Sequence, residues 1–289
     1  MDEIIYQADS VFVHRNTKGQ YSLTITSVAI AFNDLEKLKN FKFNTIYFAL
    51  ADSGDTEKFL ESLDTSELRE FILTSDKKFR LTDRIAKSIH SINSINLSVN
   101  IDYEKFDFTC LPNLHYVALN KFNKKNTSYL QCKNIRRLYL GSYNESDLRL
   151  LANSKVEQLW LCNSKLVSLA GITQIPELRS LRLEKTKQLL DWDEILQCTK
   201  LTRLRVDNFG HKDNWDWLAQ KKDWDYLWFD VIDSFKVLAN IETLNTLCAI
   251  KVLDKDWSPV HKNPRLMAEY QRFDQLDGDD KRAESAAMW

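Results

Sequence analysis

The chain has 289 residues, 44% of them hydrophobic and 28% charged, which is enough apolar material for a large buried core. Its formal net charge of −1 gives no general attraction for nucleic acid or an anionic membrane, and no apolar run approaches the roughly 18 residues a membrane span requires. Six glycines and four prolines disfavour long glycine-rich loops, and neither GxxxxGK[ST] nor GxGxxG occurs, which excludes those phosphate-cradling motifs.

The opening stretch MDEIIYQADS has no basic segment followed by an apolar one, so no signal peptide is expected. Residues 10–26 alternate on both sides of Lys18-Gly19 and predict a β-hairpin; residues 34–41 suit a helix. Together, residues 1–42 read as an N-terminal cap. From Phe43 onward one rhythm takes over, apolar-x-x-apolar-x-apolar. It runs through Phe43/Ile46/Phe48, Leu68/Phe71/Leu73, Ile92/Ile95/Leu97, Leu114/Val117/Leu119, Ile135/Leu138/Leu140, Val156/Leu159/Leu161, Leu178/Leu181/Leu183 and Leu201/Leu204/Val206. Two looser copies follow, Trp224/Leu227/Phe229 and Leu247/Ile250/Val252, and the steps between copies are 25, 24, 22, 21, 21, 22, 23, 23 and 23 residues. The segments between copies also repeat. Those starting at Asp191, Asn214 and Val237 place Ile195, Leu218 and Ile241 in register, and 82–92 and 192–198 suit short helices. Residues 263–273 carry Leu266, Tyr270 and Phe273 on one helical face behind Pro264, so 254–275 are expected to form a C-terminal capping helix and 276–289 a mobile tail.

The pattern over residues 43–253 resembles the leucine-rich repeat family, about ten repeats of the short, roughly 22-residue class, most clearly in LVSLAGITQIPELRSLRL (166–183). The family pattern is LxxLxLxxNxL. Here the asparagine position holds Ser164, Thr186 and Phe209 in successive copies, so a less regular stack is expected. The resemblance implies an α/β solenoid, a horseshoe or arc with a concave parallel β-sheet and short helices or 3₁₀ turns on the convex side, forming one domain with capped ends. Because a single repeat cannot bury its apolar face alone, the copies must stack.

In such a fold the third, fifth and seventh residues of each copy point outward. The middle and later copies place Tyr116, Arg137, Tyr139, Trp160, Arg182, Arg203, Arg205, Tyr226 and Trp228 there, and these are the candidate partner-binding residues. Tyr, Trp and Arg are the types enriched at binding hot spots. A structural reading also fits, since aromatics pack against cross-strand neighbours and arginines stack on them. For Trp192, Trp215 and Trp217, in the returning segments, core packing is the expectation.

Catalytic signals are sparse. His14, His90, His115, His211 and His261 form no HExxH pair, and Cys110 and His115 flank a turn, which makes a poor nucleophile pair. Cys110, Cys132, Cys162, Cys198 and Cys248 form no CxxC, so neither structural zinc nor a disulfide framework is expected, and free thiols in a reducing cytosol are. Asp213, Asp216, Asp223 and Asp225 lack the spacing of a calcium loop. Glu184, Asp207 and Asp230 share the face with the arginines, which favours an acidic protein partner over nucleic acid. The expectation is therefore a cytoplasmic, non-catalytic protein-binding module without cofactor or metal. By analogy with the family it is an inhibitor or immunity protein that neutralises a cognate toxin, or alternatively a scaffold or adaptor. An enzyme using the concave cleft is a more distant alternative.

Overall fold

The computed structural model describes residues 3–49, 53–209 and 215–266. The expected cap residues Tyr270 and Phe273, the tail 276–289, and His211 and Asp213 lie outside them. The chain divides into two compact units, residues 1–141 and 142–289.

In the first unit, β1 (Glu3–Ala8), β2 (Val11–Arg15) and β3 (Tyr21–Ile25) form an antiparallel meander, the β2–β3 hairpin turning at Gly19 with φ +76°. β3 then pairs in parallel with β4 (Phe43–Phe48). Next come β5 (Glu70–Leu73) and two short strands, β6 (Phe79–Arg80) and β8 (Ile101–Asp102), that pair with each other beside the main sheet. The main sheet continues through β7 (Ser94–Leu97), β9 (Tyr116–Leu119) and β10 (Arg137–Gly141). The register aligns two columns of inward residues, Leu23-Ile46-Phe71-Ile95-Val117-Leu138 and Ile25-Phe48-Leu73-Leu97-Leu119-Leu140. All twelve are buried. The same side-chain period of two therefore runs from the hairpin into the repeats, because β3 presents the same pair of inward positions. Gly141 packs against the Asn120 backbone, and a Cβ there would lie 2.4 Å from the Asn120 carbonyl oxygen.

In the second unit, β11 (Gln158–Cys162), β12 (Ser180–Glu184), β13 (Arg203–Asp207), β14 (Tyr226–Ile232) and β15 (Thr246–Val252) are all parallel. The inward columns are Leu159-Leu181-Leu204-Leu227-Leu247 and Leu161-Leu183-Val206-Phe229-Ala249. The last expected copy needs correcting. Leu247 occupies the first strand position, Leu244 is the fully buried residue three before it, and Ile250 is 72% exposed. The final copy is therefore Leu244/Leu247/Ala249. Both frames offer apolar residues at the right spacing, and the structure follows the one that also buries Phe235, Leu238 and Ile241.

The returning segments depend on repeat length. The longer early repeats accommodate α-helices at Ser53–Glu61 and Asp83–Ser88, the latter capped by Thr82. The shorter later ones hold single 3₁₀ turns, each burying one large residue: Phe108 and Tyr129 in the first unit, and Leu151, Ile172, Ile195, Leu218 and Leu238 in the second. Trp192 and Trp215 are buried there, with ring centroids 5.3 Å apart, and Trp215 lies 4.7 Å from Phe229. Trp217 is half-buried. In place of an asparagine ladder, the buried Ser164 hydroxyl donates to Thr186 Oγ1 at 3.2 Å.

Parallel strands with this register, one apolar residue from the turn before each strand, and helical or 3₁₀ returns make the leucine-rich-repeat fold.

Candidate functional site

Strand alternation places every candidate residue on the outward side of its sheet. In the first unit Arg137 is exposed, whereas Tyr116 and Tyr139 are half-buried. Burial pushes the Tyr116 hydroxyl up from its usual value.

In the second unit the parallel register lines up Trp160, Arg182, Arg205 and Trp228 across four consecutive strands. Neighbouring strands lie about 4.8 Å apart, so long side chains at matched positions must lie over one another. The Arg182 guanidinium sits 3.9 Å from the centre of the Trp160 ring, and that of Arg205 lies 4.8 Å from Trp228. Two residues earlier on the same strands, Arg203 stacks on Tyr226 at 4.9 Å. Two cation–aromatic pairs thus meet back to back, guanidinium beside guanidinium.

That juxtaposition of like charges is resolved by Asp207. Its carboxylate accepts from Arg182 Nε at 2.7 Å and from Arg205 Nε at 2.7 Å. Glu184 adds a longer contact of 3.4 Å to Arg182. Burial and the adjacent Arg205 pull the Arg182 guanidinium below its ordinary value, and Asp207 and Glu184 oppose them. Asp230, whose carboxylate accepts from the Asn208 backbone N–H, is pushed up mainly by burial.

The packing has a consequence for the candidate residues. Tyr226, Trp228 and Arg205 are 2%, 8% and 9% exposed, so none of them stands free on the surface. The outward side chains cover one another, which is the structural reading of these residue types. Gln158, Trp160 and Arg203 remain half-buried and offer surface to a partner, whereas the Arg182 side chain is 12% exposed. Sequence reasoning missed Asp207 as the residue that ties the arginines together, although its spacing of two from Arg205 on one strand face signals that contact. The guanidiniums of Arg182 and Arg205 are already neutralised within the protein, which weakens the case for an acidic partner on this part of the face.

Elsewhere, the Cys110 thiol donates to the Asp107 carbonyl at 2.8 Å and is pushed up by burial and by Asp107. The His115 ring is bonded to the Asn113 carbonyl. Each is held by its own turn, an arrangement without an activated nucleophile. Among the described residues no group of three or more His, Cys, Asp or Glu side chains could hold a metal ion, and no helix is long and apolar enough to cross a membrane.

No family model and no curated protein matches the sequence. Among solved structures, the chain is similar to an internalin (inlF) of Listeria monocytogenes at 15% identity and TM-score 0.48, covering 74% of this chain and 68% of that one. It is similar to TLR13 in a complex with ssRNA13 at 13% identity and TM-score 0.48, covering 79% and 35%. A leucine-rich-repeat protein of Leptospira interrogans is similar at 16% identity and TM-score 0.41, covering 78% and 75%. At these identities and scores the likeness carries no functional argument. The leucine-rich-repeat assignment rests on the strand registers and inward columns within each unit.

Proposed function

We propose that the chain is a non-catalytic protein-binding module and that the outward face of the second unit's sheet is a docking surface centred on Trp160. The supporting observation is the Trp160–Arg182 stack, held rigid from behind by Asp207. Docking normally costs the ordering of flexible side chains, roughly 0.5–1.5 kcal/mol each. Here an arginine and a tryptophan are ordered before any partner arrives, as a hot spot requires. Gln158, Trp160 and Arg203 are the contacting residues, and Arg182, Arg205, Tyr226 and Trp228 support them from within. In the first unit Tyr116, Arg137 and Tyr139 offer the same residue types.

A stiff face suits one cognate partner. Surfaces that serve many partners tend to be flexible and methionine-rich, and the whole chain has three methionines. We therefore read the protein as an inhibitor of the immunity type, occluding a cognate toxin, in preference to an adaptor. The five cysteines, none of them in a disulfide, fit a reducing, cytoplasmic setting.

The test is capture from source-cell lysate on immobilised wild type and on a Gln158→Arg/Trp160→Ala variant shown to fold by circular dichroism. Arg205 is left intact because it belongs to the buried network. A protein held by the wild type and lost by the variant is expected, and its co-expression should arrest growth unless the wild-type chain is present. Equal retention on both baits rules out this face. A captured protein that does not harm the cell rules out the inhibitor reading and leaves the adaptor.

A further inference from the structure

The second unit also carries an open cleft of about 940 Å³ at the strand ends, within the size range of ligand-binding clefts. Its rim is built from the residue that follows each strand: Asn163, Lys185 and Asn208, all with left-handed φ between 49° and 53°. Backbone bonds fix that rim. The Asn163 N–H donates to the Glu184 carbonyl at 2.8 Å, the Lys185 N–H to the Asp207 carbonyl at 2.9 Å, and the Asn208 N–H to the Asp230 carboxylate. Asparagine adopts this conformation readily; lysine does so at a cost, and it places a cation on the rim.

Charge separates this cleft from a smaller one in the first unit. There, about 490 Å³ is lined by Lys78, Lys121 and Lys125, but Asp102 lies 3.5 Å from Lys78 and Glu104 lies 3.4 Å from Lys125. In the second unit Lys165, Lys185 and Lys187 line the cleft. Lys185 has only a 3.8 Å contact with Glu184, and among the described residues no carboxylate pairs with Lys165 or Lys187. The one acid in the lining, Asp230, is engaged by the Asn208 N–H, and burial disfavours its ionised form. Among the described residues the cleft lining therefore carries an excess of positive charge.

The lining also specifies what kind of anion fits. Among the described residues it has no aromatic ring on which a base could stack and no arginine fork for phosphate, so it is poorly made for nucleic acid. Asn163, Gln188 and Asn208 offer both donors and acceptors, which suit a peptide backbone. Lysine ammonium groups are point charges that take carboxylates from several directions. The cleft adjoins the docking face along the chain, because Lys185 follows Glu184 and Asn208 follows Asp207.

We propose that this cleft receives an acidic peptide segment of the protein that docks on the sheet face, with the segment's carboxylates among Lys165, Lys185 and Lys187. The identity of the occupant as part of the docked partner rests on the docking reading above.

The test is fluorescence anisotropy at low salt with the full chain and a labelled glutamate-rich decapeptide. A glutamine decapeptide and a single-stranded oligonucleotide of equal net charge are the comparison probes. Lys165→Glu/Lys187→Glu should weaken the acidic peptide at least about tenfold, whereas Lys105→Glu/Lys133→Glu, the same charge change in the first unit, should weaken it less than about twofold. The glutamine peptide should not bind. If the reversals unfold the protein, Lys165→Gln/Lys187→Gln serves, with a smaller loss in the same order. Trp160→Ala, measured in parallel, should leave peptide affinity unchanged, so a failure of the sheet face and a failure of the cleft read out separately. Absence of acidic-peptide binding by the wild type, equal losses in both lysine variants, or tighter binding of the oligonucleotide would each overturn the proposal.

Discussion

Replacing Asp207 with asparagine is the most direct probe of the network behind Trp160. The substitution keeps the shape and one acceptor oxygen but removes the charge between two guanidiniums. The side chains of Arg182, Arg205 and Asp207 are only 12%, 11% and 8% exposed, so water cannot take over the role of the carboxylate. Removing one partner from a buried ion pair costs about 3–5 kcal/mol. Glu184, 3.4 Å from Arg182, still offers partial compensation, which puts the expected cost near about 3 kcal/mol. With a urea m-value of roughly 2–3 kcal/mol per molar, the unfolding midpoint followed by circular dichroism should fall by about 1 M. The loss should persist in high salt, because buried charges are poorly screened. Adding Arg205→Met to the variant removes the surplus cation, so the two changes together should cost less than their separate costs added, by about 2 kcal/mol. A cost under about 1 kcal/mol, or one that disappears in 1 M NaCl, would mean the cluster behaves as a solvated surface pair and the rigid-stack argument fails.

Three further outcomes are expected. Asp230 has a raised folded-state pKa, so its contribution to stability is present below its unfolded value of 3.8 and is lost as pH rises through the folded value. Asp230→Asn should accordingly raise the urea midpoint at pH 7, and the difference from wild type should close below about pH 4 in urea titrations. Burial pushes the Cys132 and Cys198 thiols up to about 11, so alkylation by iodoacetamide at pH 8 should be on the order of a hundredfold slower than for free cysteine until urea unfolds the chain. Gly171 has φ +90°, and a Cβ there would lie 2.7 Å from the Arg149 backbone nitrogen; Gly171→Ala should cost about 2–4 kcal/mol in the same unfolding assay.

The stacking pattern was legible in the sequence because it is periodic. Inward positions such as Leu159, Leu161, Leu181 and Leu183 recur at a fixed spacing, and only one fold lets each repeat bury that set against its neighbours. Strand alternation by itself likewise assigns Trp160 and Arg182 to the outward side. The tertiary structure decided matters that depend on which residues meet across strands. It chose between two apolar frames, burying Leu244 and Leu247 together with the turn residues Phe235 and Leu238 and leaving Ile250 exposed. It buried Trp228 and Tyr226 under Arg205 and Arg203, since parallel register stacks residues that are 23 apart in the chain. It also set Asp207 between two arginines and left Lys165 and Lys187 without carboxylate partners among the described residues. Periodicity fixes which way a side chain points, whereas whether it is covered, paired or left free depends on neighbours brought together only when the repeats stack.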